Sequence, residues 1–100
     1  MPIVQVFCPP AADIEPRLAD VCREVAAALH LGPSDVIATH VPVGRTVRPG
    51  HDLDSWPVVT VHSSPRPEAD VRRAVAALQQ LADGWAAGSG AGWVTWLERQ

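Results

Sequence analysis

The sequence predicts an α+β fold: a tandem β-α-β repeat whose strands form one four-stranded mixed sheet, with both helices on one face. Three observations predict it. Short β-branched runs and long stretches of helical periodicity follow one another as strand, helix, strand, twice over. The two halves, about 2–55 and 56–100, match each other in order and partly in residues. Finally, 100 residues, 47% apolar and 19% charged, suit one domain with a single modest core.

The chain opens on Met1-Pro2-Ile3-Val4-Gln5-Val6-Phe7-Cys8. Residues 2–8 read as a strand, with Val4 and Val6 on one face and Ile3 and Phe7 on the other. Cys8-Pro9-Pro10 ends it. Asp13, Glu15 and Pro16 suit the first turn of a helix. Ile14, Leu18, Val21, Cys22, Val25 and Leu29 recur at helical spacing and form its buried stripe. Gly32-Pro33 should stop that helix near Leu31. Val36–Val41 is a second strand, interrupted by Pro42 and Gly44, and an arm carrying Arg45 and Arg48 runs on to Pro49-Gly50.

The pattern then restarts. Pro57-Val58-Val59-Thr60-Val61-His62-Ser63-Ser64-Pro65 lies over residues 2–10 with four identities in nine. Residues 70–77 lie over 20–27 with six identities in eight. The second helix spans about Pro67 to Asp83, with Val71, Val75, Leu78 and Ala82 as its stripe. Gly84 and Gly88-Ser89-Gly90-Ala91-Gly92 follow as a connector; lying after a helix and before a strand, they are in the wrong context for a phosphate loop. Trp93–Leu97 is the last strand. The length of each crossover implies parallel pairing within each half. The sheet face without helices should be covered by other subunits, since four Trp and many Val are more than so small a chain can bury. A ferredoxin-like module is the rival fold and would differ in strand order.

Net charge is −3, with eight Arg and no Lys. An acidic chain without a basic run gives no electrostatic reason to expect nucleic acid or an anionic membrane. No apolar stretch is long enough to span a bilayer, and no signal-peptide pattern opens the chain. Two cysteines, Cys8 and Cys22, make no disulfide framework and read as half-buried thiols. The default location is cytoplasmic. His51 with Asp52 and Asp54 has metal-like content, but no ligand spacing supports a zinc site. No metal and no cofactor is expected.

Chemistry concentrates at Pro2. A small second residue generally permits removal of the initiator methionine, and a free Pro2 would carry a secondary amine at the end of a strand. Burial among Phe7, Trp56, Trp93 or Trp96, and a nearby arginine, would disfavour its ammonium form and make it a general base near neutral pH. Arg66, between the third strand and second helix, suits bidentate binding of a carboxylate or enolate oxygen. His30, near the end of the first helix, can polarise a carbonyl or donate a proton. Arg45 and Arg48 can reach a neighbouring subunit. Thr95 offers a hydroxyl on the last strand, while His40 and His62 read as core or interface histidines.

These stretches resemble the tautomerase superfamily, whose members use an amino-terminal proline as catalyst. Met1-Pro2-Ile3-Val4-Gln5-Val6 looks like the start of the 4-oxalocrotonate tautomerase group. Ile37-Ala38-Thr39-His40-Val41 after Gly32-Pro33, and Val61-His62-Ser63-Ser64, resemble strands of macrophage migration inhibitory factor. His30, Val61-His62 followed by Arg66, and Trp93-Val94-Thr95 are similar to the cis-3-chloroacrylic acid dehalogenase group. The pattern differs in places. Pro9-Pro10-Ala11-Ala12 stands where the short tautomerases carry an arginine, Gly32 where the inhibitory factor carries a lysine, and Glu98 is the only acid near the carboxyl end.

The resemblance implies a trimer with the site at each Pro2 near subunit boundaries. It implies a cofactor-independent keto–enol tautomerase of a small 2-keto or 2-hydroxy-dienoate acid. Pro2, Arg66 and His30 would be catalytic; Thr95, Trp93, Ser64 and Arg45 would contact the carboxylate substrate. The alternatives are a non-catalytic oligomeric binding protein on the same scaffold, or a hydratase or dehalogenase of unsaturated acids.

Overall fold

A computed structural model of the chain describes residues 1–51, 56–86 and 91–98. Asp52 and Asp54, and Gly88, Ser89 and Gly90 of the connector, lie outside the described residues. Strand β1 is Ile3–Cys8, helix α1 Ile14–Leu29, β2 Ile37–Pro42, β3 Val58–Ser63, α2 Glu68–Trp85 and β4 Trp93–Glu98. A short 3-10 turn, Pro33–Asp35, leads into β2. The strand order is β2-β1-β3-β4. Within each β-α-β unit the strands are parallel neighbours, and the two units join through the antiparallel pair β1–β3. This is the expected mixed sheet with both helices on one face. A ferredoxin-like sheet would interpose a strand between the two of each unit.

The two units repeat one local device. The Pro2 carbonyl accepts the Ile37 N–H at 3.0 Å, and the Pro57 carbonyl accepts the Trp93 N–H at 3.1 Å. Both proline rings are fully buried. Proline suits a strand's first residue because it has no N–H to donate to a ladder.

Period-two alternation sets the faces of the sheet. Val4, Val6 and Cys8 of β1, with Val59, Val61 and Ser63 of β3, point under the helices and are buried. Val21, Val25 and Leu29 of α1, with Ala74, Leu78 and Ala82 of α2, close the core from above. Alanines let backbones approach closely here: a Cβ on Gly92, at the entry to β4, would stand 2.6 Å from the Ala82 Cβ and 3.0 Å from its carbonyl carbon. Only glycine fits at that crossing.

The opposite face is open and falls into three ladders read across β2, β1, β3 and β4. Ile37, Ile3, His62 and Leu97 form the first, Thr39, Gln5, Thr60 and Thr95 the second, and Val41, Phe7, Val58 and Trp93 the third. Two apolar ladders thus flank a polar one, and no acid, lysine or arginine lies among the twelve residues. In the first ladder the three aliphatic residues are 42–46% exposed.

Four expectations are corrected. Helix α1 ends at Leu29 rather than near Leu31, because His30 takes a left-handed conformation (φ 59°). The N–H groups of His30 and Leu31 then both bond the Ala26 carbonyl, so the turn closes before Gly32-Pro33 is reached. Helix α2 runs through Gly84 to Trp85, where the Arg17 guanidinium lies 5.4 Å from the Trp85 ring centroid. That packing outweighs the roughly 1 kcal/mol helix penalty of a glycine. Strand β2 begins at Ile37, since the Val36 N–H still bonds Pro33 in the preceding turn, and it includes Pro42 because an edge strand tolerates proline. Cys8 is wholly buried rather than half-buried, and burial pushes its thiol pKa up against the opposing pull of Arg17. Among the described residues no helix is long and apolar enough to cross a membrane.

Candidate active site

The register of β1 fixes what surrounds its first residue. Ile3 stands opposite His62 on β3 and Ile37 on β2, so Pro2 lies one step beyond, beside Ser63 and Val36. Its ring is fully buried, whereas Met1 before it is 65% exposed. The one residue whose removal would free the Pro2 nitrogen is therefore open to solvent.

Strand β3 ends at the same place and carries the chain into α2. Ser63 is 3% exposed; its hydroxyl donates to the Ser64 carbonyl at 2.8 Å and accepts from the Arg66 Nε at 3.5 Å. Arg66 is half-buried, and Ser64 is exposed. Glu98, the last residue of β4, pairs with Ser63 across the ladder and is exposed. Pro2, Ser63, Ser64, Arg66 and Glu98 thus share one end of the sheet.

His30 lies in the helix layer. Its side chain is 73% exposed, with Nε2 at 3.6 Å from an Asp70 carboxylate oxygen and 3.3 Å from the Arg73 Nη2. Arg73 also pairs with Asp70 and donates to the Ala28 carbonyl at 3.4 Å. This cluster ties the end of α1 to the start of α2. Among the described contacts none links His30 to Pro2 or Arg66.

The remaining candidates lie elsewhere. Thr95 is in the middle ladder of the open face, and its hydroxyl accepts from the Trp93 Nε1 at 3.1 Å. Trp93 is 60% exposed in the third ladder. Arg45 is exposed in the loop after β2, beside Pro9 and Val43. At about 3.3 Å per residue, the third ladder lies roughly 17 Å along β1 from Pro2. Phe7, Trp56 and Trp93 therefore do not flank Pro2 of their own chain. The antiparallel register sends them to the far end, where Phe7, Val43, Thr46, Trp56, Val58 and Thr60 line an apolar pocket of about 420 Å³. Within one chain the two groups of residues therefore stand at opposite ends of the sheet.

Sequence reasoning passed over Ser63 in favour of Ser64. A signal was present: the inward positions of β3 read Val59, Val61, Ser63, and the serine breaks the apolar alternation. Among the described residues no group of His, Cys, Asp and Glu is placed to hold a metal ion.

No protein-family model matches the chain, and no curated protein matches it. Solved structures match over nearly its whole length. Macrophage migration inhibitory factor from Toxoplasma gondii superposes with a TM-score of 0.69 at 21% identity, covering 98% of this chain and 90% of that one. Malonate semialdehyde decarboxylase gives 0.69 at 16% identity, with coverage of 98% and 84%. A wild-type fused 4-OT, a symmetric trimer, gives 0.73 at 14% identity, with coverage of 97% and 85%. What these proteins share with the chain is the path of the backbone through two β-α-β units, and that path gives the chain the fold of the tautomerase superfamily.

Proposed function

We propose that the protein is a cofactor-independent keto–enol tautomerase acting on a small 2-keto or 2-hydroxy-dienoate acid. After Met1 is removed, the Pro2 amine takes the proton of the enol hydroxyl. The oxygen's electrons form the carbonyl, the carbon–carbon π pair moves to the neighbouring carbon, and the Pro2 ammonium returns the proton there. Arg66 holds the carboxylate and steadies the enolate charge as it develops. The observation that carries the reading is a fully buried Pro2 ring behind an exposed Met1, at the sheet end that also holds Arg66. Burial disfavours the ammonium and favours the free base.

A homotrimer belongs to this reading. The uncharged open face supports it, as does the symmetric trimer of a fused 4-OT with the same fold. A neighbouring chain would bring Thr95, Trp93 and Arg45 toward Pro2. His30 would assist only by leaving its cluster with Asp70 and Arg73.

A second reading, hydration of an unsaturated acid, is favoured by Glu98, whose pairing with Ser63 sets a carboxylate-bearing residue at the Pro2 end. The malonate semialdehyde decarboxylase of the same fold has a hydratase activity.

Phenylenolpyruvate separates these readings. The mature protein should convert it to phenylpyruvate, followed by loss of the enol absorbance. Arg66→Ala should lower kcat/KM by about one to two orders of magnitude, since a hydrogen-bonded charged contact is worth roughly 1.5–3 kcal/mol. Equal turnover by wild type and Arg66→Ala removes the carboxylate clamp. Water addition to an unsaturated acid, with no ketonisation, favours the hydratase. Tight binding of the acid without turnover favours a binding protein.

A further inference from the structure

We infer that Ser63 is a positioning residue, which fixes the Arg66 guanidinium so that both of its terminal nitrogens face the substrate carboxylate. The inference rests on the reading of Pro2 and Arg66 given above and adds the group that aims the arginine.

Ser63 is the only buried polar side chain among the described residues. A hydroxyl in a valine-lined interior is unfavourable unless it is hydrogen-bonded, and the other inward positions of β3 are valine. Its proton is committed to the Ser64 carbonyl at 2.8 Å, which leaves its lone pairs as acceptors. The Arg66 Nε–H points to them at 3.5 Å. A guanidinium held through Nε keeps Nη1 and Nη2 for the two-pronged contact a carboxylate requires. Arg66 forms no ion pair among the described residues, so the prongs are not already taken.

The other half of the chain provides the contrast. Cys8 occupies the place on β1 that Ser63 has on β3, and Arg17 Nη1 lies 4.0 Å from its sulfur. Sulfur is a weak acceptor, and Arg17 is spent on Asp13 at 3.0 Å and on the Trp85 ring. The same strand-end position therefore meets an arginine in both halves. Only the Ser63 version leaves the cation free beside a buried proline.

The test compares wild type, Ser63→Ala, Ser63→Thr, Arg66→Ala and the Ser63→Ala/Arg66→Ala double variant on phenylenolpyruvate. The Arg66 Nε–H resonance is followed in ¹⁵N spectra of the same proteins. Ser63→Ala should lower kcat/KM about tenfold, chiefly through KM, as expected for a hydrogen bond to a charged group. Ser63→Thr should restore most of it. In the Arg66→Ala background the serine change should add less than about twofold, because the two residues act as one unit. The Nε–H signal should shift in Ser63→Ala and return in Ser63→Thr. An unmoved signal, equal losses in both backgrounds, or no recovery with threonine would each overturn the role given to Ser63. If no enol acid is turned over by wild type, the tautomerase reading fails, and the resonance still decides the Ser63–Arg66 contact.

Discussion

Protein carrying one unprocessed residue ahead of Pro2 will turn over phenylenolpyruvate about 10²–10⁴-fold more slowly than the mature protein, the range a general base contributes. The added residue converts the ring nitrogen from an amine to an amide and removes its basic lone pair. It leaves the rest of the chain untouched, since Met1 is exposed and the sheet is paired from Ile3 onward. Pro2→Ala is the weaker test. An alanine amine still accepts a proton, but it leaves space where a buried ring stood and loses the ring's fixed geometry. Intact masses of each preparation and a kcat/KM on each suffice. Equal rates with and without the leading residue would exclude Pro2 as the base.

Leu78→Ala is the substitution expected to reduce stability most, by about 2–5 kcal/mol. Leu78 heads the fully buried side chains by volume, and the inward positions on either side of it in α2 are Ala74 and Ala82. Leu78 belongs to the same buried cluster as Val21, Val25, Val59 and Val61, and its alanine neighbours fill little of the space around it. They have no rotamers with which to close over the cavity it would leave. At roughly 4–8 °C per kcal/mol for a domain of this size, the fall in Tm is measurable by circular dichroism. A change under about 1 kcal/mol would mean that α2 is not seated on the sheet as described.

The fold was legible because its signals are periodic. Val4 and Val6 against Ile3 and Phe7 in β1, and the Val21-Val25-Leu29 stripe in α1, record which side of each element meets the other layer. The repeat at Pro2 and Pro57 marks the residue just ahead of the first strand in each half. Element ends were less legible, since they depend on tertiary contacts: His30 in a left-handed turn ends α1 early, and Trp85 under Arg17 carries α2 past Gly84.

The candidate site was legible in residue type but not in spacing. Pro2 and Arg66 are marked by residue type and by their place at strand and helix ends. What register does to distance was not visible. One-dimensional reasoning put aromatic residues around Pro2, but Phe7 and Trp93 sit on ladders whose spacing carries them to the other end of the sheet. Ser63 stayed hidden because its importance lies in being buried, and burial of a strand's last residue is a property of the helix above it. His30 was chosen for its position along the chain; in space Asp70 and Arg73 claim it.

The account turns on a nitrogen that is a free base while the ring around it is dry. In mature protein labelled with ¹⁵N-proline, the Pro2 nitrogen can be titrated directly and set beside the pH dependence of kcat/KM. Because the free base is the active form, kcat/KM should rise with pH through the amine's pKa and hold above it. The expected result is one titration, below the ordinary α-amine range of about 7.7–8.0, coincident with that rise. A nitrogen that does not titrate, or one that titrates where the rate is flat, would contradict it.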